Sequence, residues 1–418
     1  MRAEIITIGD ELLIGQVVDT NSAWMAQRLN EHGIELYQIT SVHDDREHII
    51  KALDEAFDRV DIVLTTGGLG PTKDDITKHV LCDYFGTHLI EDQRVRAHIY
   101  DLYKARPDVL NRLTATQWLV PESAEILPNR VGSAPLMIFH KGDRILASMP
   151  GVPYEMEIAM TEQILPYIID KRQKTVSLKD KRPIIHKTLQ VTGIAESSLA
   201  ILLEDFENTM PEGLHLAYLP KDGVIRLRLS SYGALTEDEM QTYFDRLKDL
   251  TNTYLVADTD EPLEVIVGRL LKAKGATIAT AESCTGGKLA SLLNKHPGSS
   301  AFYFGSVICY DNSVKEQVLG VSSEMIKAHG VVSEEVVRVM AESVRKLLNT
   351  DFAVATSGIA GPSGGSDAKP VGTVWIAWAT PQGTSAECFH LGKLREQITD
   401  RACVKALVGM IKKLTTEC

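Results

Sequence analysis

The residues with the clearest chemical potential form the segment 280–287, in which the hydroxyl of Ser283 and the thiol of Cys284 stand side by side. The apolar run 276–279 predicts a buried strand before it, and residues 288–293 predict a helix after it. The glycines that close the segment permit a sharp bend and leave N–H groups at the helix start without partners. Such a turn suits a nucleophile facing an oxyanion hole, although a plain bend would use the same residues.

Physical chemistry favours Ser283 over Cys284 as the nucleophile. A thiol is intrinsically more nucleophilic but usually depends on a histidine, and His296, His329 and His390 lie outside the chemical motifs. Neighbours on an extended chain point to opposite sides, so one of the two faces a given base. We interpret Cys284 as a small buried neighbour.

A candidate base for the serine lies downstream. Residues 302–309 predict a strand, with Tyr310 at its tip and Lys315 one turn into the next helix, facing back. A lysine serves as a general base when burial lowers its pKa from about 10.4. The alternative is a solvated surface lysine, which is the commoner environment.

A second glycine-rich turn, Gly67–Asp75, follows the predicted buried strand 61–66. Its backbone N–H groups and the hydroxyl of Thr72 suit a phosphate. Asp74 and Asp75 would repel a phosphate unless a divalent cation stands between them, so the turn predicts a metal-bridged phosphate or diphosphate. The alternative is that both acids stabilise the helix start through its dipole.

Three further features are candidates for ligand contacts. The strand 352–356 ends in the glycine-rich segment 357–365, which suits a phosphate, a ribose or an amide substrate. Arg395 and Arg401 open the closing helix and are able to reach an anionic ligand, although a surface ion pair is the preferred interpretation of Arg395. Glu155, in the first turn of another helix, is equally a metal or ribose partner and an ordinary N-terminal acid.

The elements that position these groups predict a multidomain α/β protein. Strands 3–8, 34–42 and 61–66 alternate with helices 21–30 and 46–59, which predicts a parallel sheet in a three-layer α/β/α domain. After a polar linker at 171–180, a β-α-β-β-α order suits a small α+β domain. The predicted domains are residues 1–170, 171–258 and 259–418, the last again α/β.

Composition narrows the function classes. The 418 residues are 44% hydrophobic and 24% charged, without a run long enough to span a bilayer, and the opening strand predicts no signal peptide. The net charge of −12 disfavours nucleic-acid binding. The six cysteines form no Cys-x-x-Cys pair, which predicts neither a zinc site nor a disulfide framework and favours a cytoplasmic location.

The motifs resemble those of a known family. Gly67–Asp75 is similar to the Gly-Gly-x-Gly-Pro-Thr-x-Asp-Asp signature of molybdopterin-binding (MoCF-like) domains, and residues 8–13 and 19–21 are similar to their first ligand loop. Leu69 stands where most molybdopterin enzymes carry threonine, and this variant resembles the CinA family. In CinA relatives the domain is associated with metal-dependent hydrolysis of ADP-ribose.

The third domain resembles the CinA C-terminal domain through three motifs in order: Ala281–Gly287, Tyr310-x-Asn312-x-x-Lys315 and Thr356–Pro362. That domain is similar to nicotinamide-nucleotide amidohydrolase, which converts nicotinamide mononucleotide to nicotinate mononucleotide and ammonia. The resemblance implies that Ser283 is the nucleophile, Lys315 the base and Tyr310 its helper, without a cofactor. It further implies substrate contacts at Thr285, Gly286, Gly287, Ser357, Gly358, Gly361 and Arg401.

For the first domain the resemblance implies a ligand site and one divalent ion of unknown identity, with Asp75 as the metal ligand. The implied ligand-binding residues are Gly9, Asp10, Glu11, Asn21, Thr66, Gly67, Gly68, Gly70, Pro71, Thr72 and Asp74. CinA relatives carry a KH-like middle module, but this segment lacks the basic Gly-x-x-Gly loop that binds RNA, so we expect a spacer or dimerisation role.

The sequence therefore predicts a cytoplasmic hydrolase of pyridine-nucleotide recycling, acting on small nucleotides and expected to be a homodimer. One alternative is a molybdenum-cofactor protein, which rests on Gly67–Asp75. The other is a non-catalytic partner of DNA-uptake machinery, as the family name suggests, and the acidic charge disfavours it.

Overall fold

A computed structural model of the chain describes residues 1–175 and 184–416. These residues divide into two compact units, one formed by 1–185 with 231–237 and the other by 186–230 with 238–418. Each unit is described by itself below. The predicted linker 171–180 lies partly in a helix that continues to Thr175, and its remaining residues fall outside the described part of the chain.

The first unit is built on a six-stranded mixed sheet and a small two-stranded one. Its strands are β1 (Arg2–Ile8), β2 (Glu35–Val42), β3 (Ile62–Thr66), β4 (Leu89–Glu91), β5 (Leu119–Pro121), β6 (Glu125–Leu127), β7 (Leu136–Lys141) and β8 (Arg144–Met149). The large sheet has the order β2-β1-β3-β8-β7-β6, and its first four strands are parallel. The predicted parallel sheet is thus present, and β7, which runs antiparallel to both β8 and β6, makes the whole sheet mixed.

Helices pack against this sheet because their apolar stripes match its buried faces. They are α1 (Asp10–Leu13), α2 (Thr20–Glu31), α3 (Arg46–Arg59), α4 (Thr77–Tyr84), α5 (Gln93–Leu102), α6 (Pro153–Ala159) and α7 (Leu165–Thr175). Helix α3 begins where the Asp45 carboxylate accepts the N–H groups of Glu47 and His48, and it buries Ile49 and Leu53. The predicted helix 46–59 is confirmed.

The middle segment has the predicted β-α-β-β-α order. It comprises β9 (Ile184–Thr192), α8 (Glu196–Asn208), β10 (Leu214–Lys221), β11 (Val224–Tyr232), α9 (Glu237–Thr251) and a short β12 (Leu255–Ala257). The sheet order is β10-β11-β9-β12. Within the second unit it is tied to the segment that follows, since the Gln190 side chain donates to the carbonyls of Thr259 and Glu261 at 2.9 and 2.7 Å.

The remaining segment forms a five-stranded sheet with helices on both faces. Its elements are α10 (Leu263–Lys274), β13 (Ile278–Glu282), α11 (Lys288–Asn294), β14 (Tyr303–Ile308), α12 (Asn312–Leu319), α13 (Ser323–His329), α14 (Glu334–Leu347), β15 (Phe352–Gly358), β16 (Thr373–Thr380), β17 (Gly383–His390) and α15 (Arg395–Thr416). The order is β14-β13-β15-β16-β17, with the first three strands parallel. The carboxyl ends of these three strands lie at one edge of the sheet. The two larger sheets and their helices together confirm the predicted multidomain α/β class.

Two expectations from composition agree with the structure. The cysteines at 82, 284, 309, 388 and 403 are free thiols, whereas Cys418 lies outside the described residues. Between residues 1–175 and 184–416, no helix has the length and apolar character required to cross a bilayer.

Candidate functional sites

Ser283 lies at the carboxyl edge of the second unit's five-stranded sheet. It follows directly on β13, the strand between β14 and β15, with Glu282 paired to Ile308 on one side and Thr356 on the other. The Ser283 N–H donates to the Thr356 carbonyl at 3.0 Å. On the opposite side, the Cys309 N–H donates to the Glu282 carbonyl at 2.8 Å. The serine therefore stands between the exits of two neighbouring strands.

Lys315 reaches the same edge. Its side chain is 1% exposed, and its Nζ donates to the carbonyls of Cys309 and Tyr310 at 2.6 and 3.2 Å. Burial lowers the pKa of the Lys315 amine. In the described part of the chain no carboxylate lies within ion-pair distance of it. The surface-lysine alternative is therefore wrong, and Cys309 connects the strand that carries Ser283 to this amine.

The neighbouring thiol has a different environment. Cys284 is buried in the apolar core, and this burial raises its pKa to about 12. A thiol in that state is protonated at neutral pH and is a poor nucleophile. Ser283 is partly exposed, so the structure favours the serine, as the sequence does.

The buried carboxylate of Glu282 organises the turn. It accepts the Thr285 hydroxyl at 2.7 Å. It also accepts the N–H groups of Gly287, Leu289 and Ala290 at 3.0, 3.1 and 2.7 Å. The expectation that the helix start keeps these N–H groups free is therefore wrong, because an acid just before the helix takes them.

Two main-chain donors of the turn remain available. The Gly286 N–H donates to the Ser283 carbonyl at 3.1 Å. The N–H groups of Cys284 and Thr285 have no acceptor among the described residues, which makes them candidates to hold an oxyanion beside Ser283. Sequence reasoning overlooked Glu282, although a glutamate ahead of a glycine turn and a helix was a usable signal.

The hydrogen bonds of the Glu282 carboxylate lead to a prediction about the free energy of unfolding. We expect Glu282→Gln to lower the free energy of unfolding by about 1–3 kcal/mol, because an amide NH₂ would face backbone donors that now have an acceptor. Urea unfolding of the variant and the wild type measures this. Glu264→Gln is the matched control, since that buried carboxylate contacts a single histidine, His296, at 3.3 Å. Equal losses in both variants would contradict the assignment.

Tyr310 and Arg395 lie on the solvent-exposed side of this sheet edge. The Tyr310 ring is 61% exposed, and its hydroxyl accepts from Arg395 Nη2 at 3.0 Å, while Arg395 Nη1 donates to the Gly361 carbonyl at 2.8 Å. Strand β14 ends two residues before Tyr310, and the carbonyl of Tyr310, not its hydroxyl, contacts Lys315. The ion-pair interpretation of Arg395 is wrong, because its hydrogen bonds go to neutral oxygens.

Several residues that were predicted to contact the substrate make hydrogen bonds within the protein instead. The Ser357 hydroxyl donates to the Val331 carbonyl at 2.8 Å, and Arg401 Nη1 donates to the Leu391 carbonyl at 3.1 Å. Gly358 is paired within the sheet, the Gly287 N–H is taken by Glu282, and Gly286 is exposed. The structure brings these residues to the same edge but gives Ser357 and Arg401 structural partners.

A cleft of about 540 Å³ in the first unit holds most of the other predicted residues. It lies where β1, β3 and β8 end. The predicted residues that line it are Gly9, Glu11, Asn21, Thr66, Gly67, Gly68, Gly70, Pro71, Asp74 and Asp75. The structure thus joins two distant loops of the sequence in one concave site.

Asp10 and Thr72 do not line this cleft. Asp10 contacts His43 Nδ1 at 2.7 Å. The Thr72 hydroxyl donates to the Asp75 carboxylate, which also accepts the N–H groups of Gly70 and Thr72 at 2.8 and 2.9 Å. The prediction of Thr72 as a phosphate donor is therefore corrected, because Asp75 already accepts from its hydroxyl and N–H.

Acidic side chains give the cleft its character. Asp44, which sequence reasoning missed, lines it together with Glu11, Asp74 and Asp75. Burial raises the pKa of Asp44, and the charges of Asp10, Glu11 and Asp75 add to this. Among the described residues no three acids, histidines or cysteines converge as a metal site. Magnesium usually binds one or two carboxylates plus substrate phosphates, so these residues fit an ion that arrives with a phosphate.

Two polar side chains complete the cleft wall. Asn21 donates to Thr66 Oγ1 and the Gly151 carbonyl at 3.2 and 2.8 Å, and its buried Oδ1 has no partner among the described residues. Glu155 lines the cleft and accepts from Asn129 Nδ2 at 2.8 Å. Of the two interpretations of Glu155, the structure favours a member of the site.

Comparisons with known proteins match three family models along the chain. Residues 4–170 match the family model described as a probable molybdopterin binding domain, residues 186–254 the damage-inducible protein CinA KH domain, and residues 260–414 the CinA C-terminal domain. A CinA-like protein of Flavobacterium psychrophilum is 43% identical over 421 residues, covering 99% of both chains.

Two further relatives illustrate the range. A putative competence-damage inducible protein of Caldanaerobacter subterraneus is 37% identical over 410 residues, covering 97% of each chain. The crystal structure of competence damage-inducible protein A from Klebsiella pneumoniae is 38% identical and covers 37% of this chain and 96% of its own, with a TM-score of 0.36. From the full-length relatives, the chain belongs to the CinA family, which confirms the resemblance seen in the motifs.

Proposed function

We propose that the second unit hydrolyses the carboxamide of nicotinamide mononucleotide to a carboxylate and ammonia. The proposal rests on the two hydrogen bonds of Cys309. Its N–H donates to the carbonyl of Glu282, the residue before Ser283, and its carbonyl accepts from the buried Lys315 amine. A desolvated amine is a base that can activate a serine without a histidine.

In the proposed reaction, Ser283 Oγ attacks the amide carbon while its proton passes to the neutral Lys315 amine. The oxyanion forms beside the N–H groups of Cys284 and Thr285. Lys315 returns the proton to the departing nitrogen, which leaves as ammonia, and water then hydrolyses the seryl ester. Arg395 supplies a cation for the nucleotide phosphate, since its hydrogen bonds go to neutral oxygens.

Ammonia release from nicotinamide mononucleotide by the purified full-length protein tests this function. Free nicotinamide, which lacks the phosphate and ribose, is the control substrate and should release far less. No release from the nucleotide at any pH between 7 and 10 would reject the proposal.

For the first unit we propose hydrolysis of ADP-ribose with a divalent ion, supported by the acid-lined cleft. A bound ion would be held by Asp44 and Asp75 together with substrate phosphates and would neutralise the diphosphate charge. We expect ADP-ribose cleavage to require added Mg²⁺ or Mn²⁺ and to fall at least about tenfold in Asp44→Asn, while Asp54→Asn, at a surface tyrosine, retains it. Molybdopterin adenylylation without ADP-ribose cleavage would instead support the molybdenum-cofactor alternative.

A further inference from the structure

The hydroxyl of Thr285 is directed into the protein, beneath the turn that carries Ser283. Thr285 is 5% exposed, and its hydroxyl donates to the Glu282 carboxylate at 2.7 Å. The same oxygen lies 2.8 Å from the hydroxyl of Thr356, a fully buried residue of β15. A threonine has one hydroxyl proton, and Thr285 gives it to the carboxylate, so the Thr356 hydroxyl is the donor in the second bond. Both bonds are internal, whereas the family resemblance implied a substrate contact for Thr285.

Thr356 holds the same turn at two points. Its carbonyl accepts the Ser283 N–H at 3.0 Å, and its hydroxyl donates to Thr285. Strand β15 pairs with β13 on one side and with β16 on the other, so it lies inside the sheet. The nucleophile and the residue two positions after it are therefore both attached to one buried residue of an inner strand.

A second chain of hydroxyls reaches Glu282 from β14. The Tyr303 hydroxyl lies 2.6 Å from Ser306 Oγ, which is hydrogen-bonded to Thr280 Oγ1. Thr280 donates to the Glu282 carboxylate at 3.4 Å, so Ser306 donates to Thr280, and Tyr303 donates to Ser306. The carboxylate is thus the common acceptor of hydroxyl chains from the two strands that flank β13, and such chains strengthen each member bond.

These bonds constrain the two free N–H groups of the turn. The N–H groups of Cys284 and Thr285 belong to the two peptide groups that lie between Ser283 and Thr285. Peptide groups are planar, so fixing the Ser283 main chain at one end and the Thr285 side chain at the other limits how far both can rotate. Donors stabilise an oxyanion strongly only when they already point at the position where the charge develops.

We propose that Thr285 is a positioning residue, whose buried hydroxyl orients the two N–H donors of the oxyanion site without touching the substrate. This role rests on the proposed function of the second unit, with Ser283 as the nucleophile. It assigns the Thr285 side chain to the transition state through the main chain, so its loss should affect kcat and leave KM nearly unchanged.

Two substitutions of Thr285 test this role in the full-length protein. Thr285→Val keeps the branched shape and removes the hydroxyl, whereas Thr285→Ser keeps the hydroxyl. In ammonia release from nicotinamide mononucleotide, we expect the valine variant to lose at least about tenfold in kcat and to change KM less than about twofold. The serine variant should stay within about threefold of the wild-type kcat.

Thr350→Val is the matched control. Thr350 is also buried, and its hydroxyl donates to the Phe352 carbonyl at 2.9 Å, but it precedes β15 and so lies at the opposite edge of the sheet. We expect this variant to unfold at a lower urea concentration and to keep the wild-type kcat, because it loses a buried hydrogen bond away from the reacting groups.

Labelling of Ser283 by a fluorophosphonate provides a second measurement, which does not depend on the amide substrate. The Ser283 oxygen displaces fluoride from phosphorus, and the same N–H donors stabilise the phosphoryl oxygen. We expect labelling to slow at least about tenfold in Thr285→Val and to recover in Thr285→Ser. Ser283→Ala supplies the unlabelled blank.

Three results would overturn the role of Thr285. A raised KM with unchanged kcat would make it a substrate contact, a serine variant as slow as the valine variant would assign the effect to shape, and an equal loss of kcat in Thr350→Val would assign it to general stability. The two proposals fail separately. If labelling follows the Thr285 variants but wild type releases no ammonia, the positioning role stands and the amidase proposal fails. If ammonia is released and Thr285→Val keeps the wild-type kcat, the amidase stands and the positioning role fails. A wild type that is neither labelled nor active overturns both.

Discussion

Ser283→Ala is expected to reduce ammonia release from nicotinamide mononucleotide by at least about 10³-fold, because it removes the only atom proposed to form the acyl-enzyme. Cys284→Ala should retain most of the activity, since burial raises the pKa of that thiol to about 12 and keeps it protonated. Steady-state assays of both variants under saturating substrate measure the difference.

The two substitutions are a matched pair on adjacent residues, each removing one heavy atom. The Cys284 variant leaves a small gap in the core, so its unfolding midpoint should be measured beside its activity. A folded Cys284→Ala protein without activity, next to an active Ser283→Ala protein, would reassign the nucleophile to the thiol.

Lys315→Met is expected to have a comparably large effect, at least about 10³-fold on kcat, because the reaction would lose its proton acceptor. Methionine has a similar length and suits a side chain that is 1% exposed, so the protein should fold. Lys405→Met is the control. That lysine is partly buried, and burial also lowers its pKa, but it donates to Thr192 at 3.2 Å, away from the sheet edge.

The same lysine predicts a pH dependence. The neutral amine is the active form, and burial lowers its pKa, so kcat/KM should rise with pH and level off below the usual lysine value of about 10.4. Tyr310→Phe is the control and should keep the rising limb. Loss of the rising limb in that variant would contradict the role of Lys315.

The sequence predicted the strand and helix order well because the signals are local. Periodic apolar residues fix helix α3, and Gly275, which adopts the left-handed conformation, ends α10. The positions of β7 and β6 at the end of the sheet were not predicted, because strand pairing between distant segments leaves no local signal. The predicted domain limits, the homodimer and the cytoplasmic location stay predictions.

The sequence predicted many of the residues at the two sites, but it did not predict the hydrogen bonds that these residues make. The sequence places Ser283 and Lys315 in motifs, but it does not show that Glu282 takes the helix N–H groups or that Asp75 takes those of its own loop. Such competition is a property of side-chain reach in three dimensions. Asp44 was missed for the same reason, because its partner Asp10 lies 34 positions away. The hydrogen bonds of Arg395 were not predicted either, since the Gly361 carbonyl is also 34 positions away.

The position of Cys309 has a mechanical consequence. Its N–H holds the strand that precedes the serine, and its carbonyl holds the lysine amine, so the spacing between nucleophile and base depends on the geometry of one residue. Peptide groups are planar and stiff. When the sheet fluctuates, the two reacting groups should travel together as a tethered pair, and the reactive distance should be preserved even while the surrounding loops move.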